Sequence, residues 1–146
     1  MGSEMCIRDS RTAADAALPD FVITARPESF YAGLADPMVD AIERANTYVE
    51  AGADCIFVPG ISDLTTLRTL VTSVNAPVSL GIGAGGGSLA LDDLREIGVR
   101  RVSTGGALTR VLYARLARAA REIVDDGTFS FTAEAMTDTE LEQLLP

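Results

Sequence analysis

The sequence predicts an α/β fold, and specifically the C-terminal half of a (β/α)₈ TIM barrel. Short apolar runs that suit strands buried on both faces alternate with amphipathic helical patterns, which is typical of parallel strands joined by right-handed crossovers. The segments 51–58 and 97–103 repeat one order of helix end, glycine turn and strand. About four βα units are visible, whereas a complete barrel has eight strands in about 250 residues. The 146 residues can therefore supply half of a barrel.

Each unit carries its own boundary signals. The apolar runs predict four strands at 21–25, 55–58, 78–80 and 99–103. Helical spacing after each strand predicts helices that begin near Pro37, Asp63, Leu89 and Leu108, and a last short helix capped by Thr137 or Asp138. The alternative is a small open sheet of four strands, which would bind its ligand at a switch in strand order that the sequence does not locate.

The first ten residues are set apart from this fold. Residues 1–10 show neither helical nor strand periodicity, and residues 4–10 resemble the read-through translation of an adaptor used in preparing sequencing libraries. We therefore expect residues 1–10 to be an artefact at the point where a longer gene was cut. Residues 11–146 are then the partial barrel, with strands five to eight and the C-terminal helices.

Composition excludes several classes of function. The net charge of −9 would repel a phosphate backbone, so nucleic acid is not an expected partner. The sequence has no histidine, and imidazole can supply neither a metal ligand nor a general base. No apolar stretch reaches the roughly 18 residues that cross a bilayer, which predicts no membrane association and a cytoplasmic location. Cys6 and Cys55 lack metal-type spacing, and Cys55 is expected to be a buried, inert thiol.

Candidate site residues follow the strands, because the active site of a barrel lies at the C-terminal ends of its strands. Arg26 ends the first strand, where its guanidinium could bind a carboxylate or phosphate through two parallel hydrogen bonds. A structural ion pair with Glu28 or Asp54 is the alternative. Asp63, Asp92 and Asp93 stand at helix starts, where capping is expected.

A glycine-rich loop, Gly81 to Ser88, follows the third strand, and Ser103 to Gly106 follow the fourth. Such turns can bring backbone N–H groups close to an anion, and many barrels bind phosphate at this place. Five glycines in eight residues are also typical of a flexible, inert loop. The loop matches no dinucleotide fingerprint.

With Thr24-Ala25-Arg26, then residues 51–60, then residues 98–103 and Ala107-Leu108 in order, the chain resembles the isocitrate lyase and phosphoenolpyruvate mutase superfamily. The resemblance is closest to its phosphonomutase-like and carboxyvinyl-phosphonate-mutase-like members, and it covers the chain from Leu18 to Leu145. It implies a (β/α)₈ barrel that makes or breaks a C–C or P–C bond next to a carboxylate, through a Mg²⁺-bound enolate of an α-keto acid.

The resemblance also implies roles for particular residues. Arg26 corresponds to the family's strand-five arginine, which contacts the substrate's acidic group, and Glu28 falls where many members carry a carboxylate. Ser79 and Gly81 fall on the substrate side of the third strand, although many relatives have Asn in place of Ser79. Pro59 stands where characterised members have a polar residue, so the substrate is left open. The family's metal-binding aspartates belong to the N-terminal half, and nothing in this chain matches them.

Three functions therefore remain open at this point. The leading hypothesis is a Mg²⁺-dependent lyase or mutase that acts on a small α-keto acid, 2-hydroxy acid or phosphonate, with this chain alone inactive. The alternatives are a phosphate-binding barrel isomerase or aldolase and a non-catalytic barrel fragment. A half-barrel is expected to expose an apolar inner face of Val, Ile and Phe side chains, so we also predict a homo-oligomer.

Overall fold

Four parallel strands lie in one sheet in the order in which they occur along the chain. The structure is a computed structural model that describes residues 2–83 and 89–145. The strands are β1 (Thr24–Ala25), β2 (Cys55–Phe57), β3 (Val78–Gly81) and β4 (Arg101–Ser103). Neighbours in sequence are neighbours in space, as in a barrel segment, and the described strands show no switch in order of the kind that an open doubly wound sheet requires. This confirms the predicted partial barrel over the open sheet.

Helices follow each strand and also precede the first one. They are α1 (Ser3–Ala17), α2 (Pro37–Glu50), α3 (Leu64–Ser73), α4 (Leu91–Glu96), α5 (Ala107–Arg121) and α6 (Asp138–Leu144). A π-helical turn, Glu122–Asp126, and a 3₁₀ helix, Ser130–Glu134, lie between α5 and α6. The chain forms two compact units, residues 1–105 and residues 106–146. No helix of the described ranges is both long enough and apolar enough to cross a bilayer.

Helix α1 is an element that the sequence analysis did not predict. It includes residues 3–10, and Ile7 packs against the core of the first unit. Further along α1, the Arg11 guanidinium donates to Asp54 Oδ2 at 3.0 Å and to the Phe21 carbonyl at 3.3 Å. Asp54 Oδ2 also accepts a hydrogen bond from the Ile23 N–H at 2.8 Å. One carboxylate thus joins α1, the start of β1 and the start of β2.

Strand β1 is shorter than predicted. The sequence analysis placed it at 21–25, but only Thr24 and Ala25 pair with β2, and Phe21 and Val22 are exposed. The Ile23 carbonyl accepts hydrogen bonds from the N–H groups of Asp54 and Cys55, so regular pairing begins immediately after it. The predicted strand is therefore wrong at residues 21–23, which are apolar but do not pair with β2.

Alternation along the strands divides the sheet into two faces. Ala25, Ile56 and Val78 share one face through their register, and Leu80 pairs with Val102 on the same side. These side chains pack on the helices, where Leu67, Leu70, Leu94 and Ala45 complete one apolar core. Burial of this face supplies the main driving force for folding of the first unit.

The opposite face, called the inner face below, has a different composition. Register and alternation place on it seven residues, which are Thr24, Cys55, Phe57, Ser79, Gly81, Arg101 and Ser103. Only Phe57 is a large apolar side chain. The expected apolar inner face of Val, Ile and Phe is therefore wrong, because the β-branched and aliphatic residues of the strands point to the helices instead.

Asp63 and Thr137 cap helices as predicted, whereas the capping expected of Asp92 and Asp93 is wrong. Asp63 accepts a hydrogen bond from the Thr66 N–H at 2.8 Å, which lowers the pKa of Asp63, and Thr137 forms a capping box with Glu140. Asp92 and Asp93 lie in the first turn of α4 without forming a side-chain cap. Between helices, the Asn46 side chain donates to the Ser73 carbonyl and accepts from the Asn75 N–H, each at 3.0 Å. This pair of bonds fixes the end of α3 against α2.

The loop after β1 is anchored to α2 by a buried serine. Ser29 is nearly fully buried, and its hydroxyl donates to Asp40 Oδ2 at 2.6 Å. The Arg44 Nε–H is shared between both oxygens of the same carboxylate, at 2.8 and 3.0 Å. The Ser29 hydroxyl, followed by Arg44, lowers the pKa of Asp40. The loop that carries Arg26 and Glu28 is thus held on a rigid helix.

The second unit exposes much apolar surface. Along α5 the exposed large side chains are Leu108, Val111, Leu112, Tyr113 and Leu116. The Arg115 guanidinium pairs with Glu134, and the Glu122 carboxylate accepts a hydrogen bond from the Thr128 hydroxyl at 2.9 Å. The first contact holds the 3₁₀ helix against α5, and the second holds the loop at Thr128 against the π-helical turn. The apolar stripe of α5 is left open to solvent.

Replacing Ser29 with alanine should raise the pKa of Asp40 toward its ordinary value of about 3.9. A lowered pKa in the folded state stabilises the protein at pH values above the unfolded-state pKa. This stabilisation is lost as the pH falls through the folded-state pKa. Loss of the hydroxyl should therefore weaken this contribution, and the pH titration of the Asp40 carboxyl by carbon NMR measures the shift. Thr47→Ala is the matched control, since the Thr47 hydroxyl bonds only within α2. Equal Asp40 titrations in all three proteins would contradict the anchoring role.

Candidate functional site

The loops after the parallel strands emerge at one edge of the sheet. Arg26 directly follows β1, Val58 follows β2, Gly81 ends β3 and Ser103 ends β4. The Ile82 N–H donates to the Ser103 carbonyl at 2.7 Å, which extends the pairing of β3 and β4 to this edge. The sequence-predicted position of the site, at the C-terminal ends of the strands, is the edge from which these loops project.

Arg26 pairs with Glu28 through its guanidinium. Sequence reasoning offered Glu28 or Asp54 as a partner, and the structure brings Arg26 to Glu28, while Asp54 pairs with Arg11. The Arg26 side chain is 58% exposed and that of Glu28 is 45% exposed. An ion pair this open to water contributes little to stability, so an incoming anion can displace Glu28 at small cost.

A cleft of about 300 Å³ lies beside this pair. It is lined by residues of α1, the β1–α2 loop and α2, which include Ser3, Arg26, Glu28, Ser29, Asp40, Arg44 and Tyr48. Its charged groups comprise two arginines and two carboxylates, so the cleft as a whole is neutral. A hydrogen bond with Tyr48, followed by the contacts with Asp40, raises the pKa of Arg44. Arg44 is committed to Asp40, and Arg26 is therefore the arginine of this cleft that is best able to accept a new partner.

The loop after β2 packs against the same region. Gly60 has a φ of +94°, and a Cβ at this position would lie 3.0 Å from Phe30 Cβ. Both the backbone conformation and the close approach require glycine here. The loops that follow β1 and β2 are consequently in contact.

Ser79 and Gly81 form a second group, on the inner face of β3. Ser79 is 1% exposed, and its hydroxyl accepts a hydrogen bond from Arg101 Nη1 at 3.3 Å. A Cβ at Gly81 would lie 3.1 Å from the ring of Phe57, so the glycine makes room for that ring. Arg26 thus pairs with Glu28, and Ser79 and Gly81 share one face of β3. No described hydrogen bond or ion pair joins these two pairs of residues.

Most of the glycine-rich loop cannot be assigned a role from geometry. Residues 84–88 lie outside the described residues, so the predicted anion cradle of Gly81 to Ser88 is outside them in large part. Gly81 to Gly83 are described, and the Ile82 N–H is already bonded to Ser103.

The described residues do not fit a metal site of their own. Within residues 2–83 and 89–145, no group of three or more Asp, Glu or Cys side chains converges closely enough to hold a metal ion, and the sequence has no histidine.

Sequence reasoning missed three residues around these sites. Ser29 and Asp40 were not singled out, although a serine and an aspartate flanking a loop and a helix start are common anchoring types. Arg101 was named only as part of the fourth strand, 99–103. The two arginines between Val99 and Val102 were the available signal that a polar side chain stands at the start of this strand.

Comparison with protein families gives one match over most of the chain. The family described as phosphoenolpyruvate phosphomutase matches residues 3–124. The match includes all four strands, α1 to α5 and every candidate site residue named above.

Two curated relatives are similar over shorter stretches. An uncharacterised protein of Mycobacterium tuberculosis H37Rv is 37% identical over 108 residues, which are 73% of this chain and 40% of that protein. The 2-methylisocitrate lyase of Escherichia coli K12 is 38% identical over 89 residues, which are 59% of this chain and 29% of the lyase. This chain therefore spans less than half the length of either relative.

Solved structures extend the likeness to nearly the whole chain. A candidate lyase/mutase of Burkholderia cenocepacia J2315 superposes with a TM-score of 0.87 at 40% identity, over 97% of this chain and 50% of that chain. A 2,3-dimethylmalate lyase, described as a PEP mutase/isocitrate lyase superfamily member, superposes with a TM-score of 0.76 at 22% identity and shows the shared fold. The family match over residues 3–124 shows that the chain belongs to the phosphoenolpyruvate phosphomutase family.

Proposed function

We propose that this chain supplies the Arg26-bearing half of a lyase or mutase that makes or breaks a C–C or P–C bond in a small α-keto acid, 2-hydroxy acid or phosphonate. The observation that carries the proposal is the place of Arg26, which follows β1 at the C-terminal edge of the sheet inside the segment that the family matches. The names of the relatives, a 2-methylisocitrate lyase and a phosphoenolpyruvate phosphomutase, support a small carboxylate or phosphonate substrate.

Arg26 would act as the substrate clamp. Its planar guanidinium can donate two parallel hydrogen bonds to a carboxylate or phosphonate, and it stays charged at any working pH. Negative charge that develops on the substrate during bond cleavage is stabilised by a fixed cation of this kind. Glu28 forms an ion pair with the Arg26 guanidinium. The substrate's acidic group would replace Glu28 as the partner of this guanidinium.

Ser79 and Gly81 would shape the substrate side of β3. Gly81 leaves space for Phe57, and Ser79 holds Arg101 in place on the inner face. Both roles are consistent with a wall that excludes bulky substrates, while direct contact of either residue with substrate stays a prediction.

Mg²⁺ would supply Lewis-acid stabilisation of an enolate in the whole enzyme. Because the described residues here do not form a metal site, the ion would be held by the half of the barrel that this chain does not match. We accordingly propose that this chain alone does not catalyse the reaction.

The open stripe of α5 supports a further proposal of self-association. Leu108, Leu112 and Leu116 are each more than 60% exposed, and they lie on one side of the helix at spacings of four residues. Apolar stripes of this length are usually covered by another polypeptide.

Oxalate, a mimic of a small enolate, should bind the protein that contains both halves of the barrel only when Mg²⁺ is present. Isothermal titration with and without Mg²⁺ measures this dependence. Inorganic phosphate is the comparison ligand, because the alternative function, a phosphate-binding isomerase or aldolase, predicts metal-independent phosphate binding through the loop at Gly81 to Ser88. That outcome, without metal-dependent oxalate binding, would replace the lyase or mutase proposal with the alternative.

Arg26→Lys in the same two-half protein should lower kcat/KM by roughly thirtyfold, equivalent to about 2 kcal/mol of transition-state stabilisation. Lysine keeps the charge but loses the planar fork, so the loss measures two-pronged binding. Arg68→Lys on α3 is the matched control, since Arg68 makes only a long, exposed contact of 3.8 Å with Glu96. An unchanged kcat/KM in Arg26→Lys would reduce Arg26 to a structural ion pair with Glu28.

Leu112→Lys should convert an associated chain into a smaller species, because it places a charge in the middle of the α5 stripe. Sedimentation velocity of the wild-type chain and the variant measures the change. Thr109→Lys is the control on the same helix, outside the three leucine positions. A wild-type chain that sediments as a sharp monomer would contradict self-association.

A further inference from the structure

The alternation of side chains in β1 continues beyond its last paired residue. From residue 24 to residue 29 exposed and buried side chains alternate, and the exposed ones include Arg26 and Glu28. Residues two apart in an extended segment point to the same side, so this spacing brings the Arg26 guanidinium to the Glu28 carboxylate. Pro27 lies between them and is almost completely buried, and its ring restricts both its own φ and the backbone of Arg26.

Different parts of the structure hold the two residues of this ion pair. Arg26 directly follows β1, whose residues pair with β2, so the sheet fixes its backbone. Glu28 lies beyond the sheet pairing. Its carbonyl begins a turn by accepting hydrogen bonds from the N–H groups of Tyr31 at 2.9 Å and Ala32 at 3.0 Å. The place of the Glu28 carboxylate therefore depends on what holds this turn.

The turn is held on α2 through Ser29. This residue directly follows Glu28 and is almost completely buried, and its hydroxyl donates to Asp40 Oδ2 at 2.6 Å. Asp40 lies in the first turn of α2, and both of its oxygens accept from the Arg44 Nε–H. A hydrogen bond to a charged carboxylate is one of the stronger kinds in proteins. The backbone next to Glu28 is thus fixed to a helix.

We propose that Ser29 and Asp40 are positioning residues, which hold the Glu28 carboxylate opposite Arg26 and thereby keep the guanidinium in one orientation before substrate binds. The substrate's acidic group then meets an arginine whose side chain is already ordered, so binding avoids the entropy loss of ordering it. Ser29 and Asp40 act through Glu28 and Arg26 and do not touch the substrate. The consequence for catalysis rests on the proposed function, whereas the orientation of Arg26 does not.

A merely structural role is the alternative for Ser29. Its buried hydroxyl needs a hydrogen-bond partner in any case, and Asp40 supplies one. A bond with that role alone would stabilise the first unit as a whole, without a particular effect on Arg26. The two roles are separated by one measurement that follows Arg26 itself and by a second that follows catalysis.

The first measurement is the rate at which phenylglyoxal, a reagent that modifies guanidinium groups, reacts with Arg26 in the full chain. Peptide mass spectrometry gives the rate for each arginine separately. Arg68 is the internal reference, because its side chain is 57% exposed against 58% for Arg26 and its contact with Glu96 is long, at 3.8 Å. Glu28→Gln gives the rate for an Arg26 that has lost its ion pair.

Glu28→Gln should raise the ratio of the Arg26 rate to the Arg68 rate by about threefold, the scale of an exposed ion pair. Ser29→Ala and Asp40→Ala should each give most of this rise. Thr47→Ala should leave the ratio unchanged, since the Thr47 hydroxyl bonds only within α2. A wild-type ratio in Ser29→Ala or in Glu28→Gln would overturn the proposal.

Arg11 reports whether a substitution acts on the whole unit. Its side chain is largely buried and paired with Asp54, so it reacts slowly as long as the first unit is folded. In Ser29→Ala the Arg11 rate should stay at its wild-type value while the Arg26 rate rises. A rise of the same size at Arg11 would show that Ser29 stabilises the fold in general, and this too would overturn the proposal.

The second measurement is a double-mutant cycle on kcat/KM in the protein that contains both halves of the barrel. Ser29→Ala should lower kcat/KM by about tenfold, because a misplaced clamp weakens the interactions of the transition state. In an Arg26→Lys background the same substitution should cause little further loss, since the planar fork that Ser29 orients is already gone. In an Arg68→Lys background the full loss should remain.

Equal losses from Ser29→Ala in the Arg26→Lys and Arg68→Lys backgrounds would overturn the positioning role, because a structural effect is additive with both. Failure of the proposed function has a different signature. Arg26→Lys alone would then leave kcat/KM unchanged, and the phenylglyoxal ratios would still decide whether Ser29 and Asp40 hold the ion pair of Arg26.

Discussion

The alternation of side chains along four short parallel strands determines most of what this chain can do. Ala25, Ile56, Val78 and Leu80 point to the helices and are nearly completely buried, and they form the core together with the helices. Apart from Phe57, the residues that alternate with them are small or polar, and they face the other way. A single register error would exchange these two sets, so the apolar set fixes the register and thereby fixes where Ser79 and Arg101 lie.

The sequence predicted the order of elements better than their edges. All four strands, the helices from α2 onward and the Asp63 and Thr137 caps were predictable, because apolar periodicity and capping residues are local signals. The start of β1 was not, since Phe21 and Val22 resemble strand residues but find no neighbouring strand. The first helix escaped prediction for a related reason. Arg11 and Asp54 are 43 residues apart, and no local sequence pattern predicts a pairing over this distance.

The candidate site was predictable only in part. Arg26 was identifiable because it ends an apolar strand, and Glu28 because it is two residues away. The direction of Arg101 depends on which face of β4 meets the helices, which only the register with Ser79 and Leu80 decides. Likewise, the burial of the Ser29 hydroxyl depends on how the β1–α2 loop folds back onto Asp40. Long-range geometry of this kind is not encoded in the spacing of residues along the chain.

The contact of Asp54 with Arg11 and Ile23 has a consequence for how the protein can diverge. It lies before β2 begins, at the opposite edge of the sheet from Arg26 and the loop at Gly60. The groups that secure the start of the sheet are thus spatially separate from those that would meet a ligand. Substitutions in the loops after the strands can therefore occur without disturbing the Asp54 contacts. A lineage could in this way acquire new substrate preferences while its scaffold stays under purifying selection.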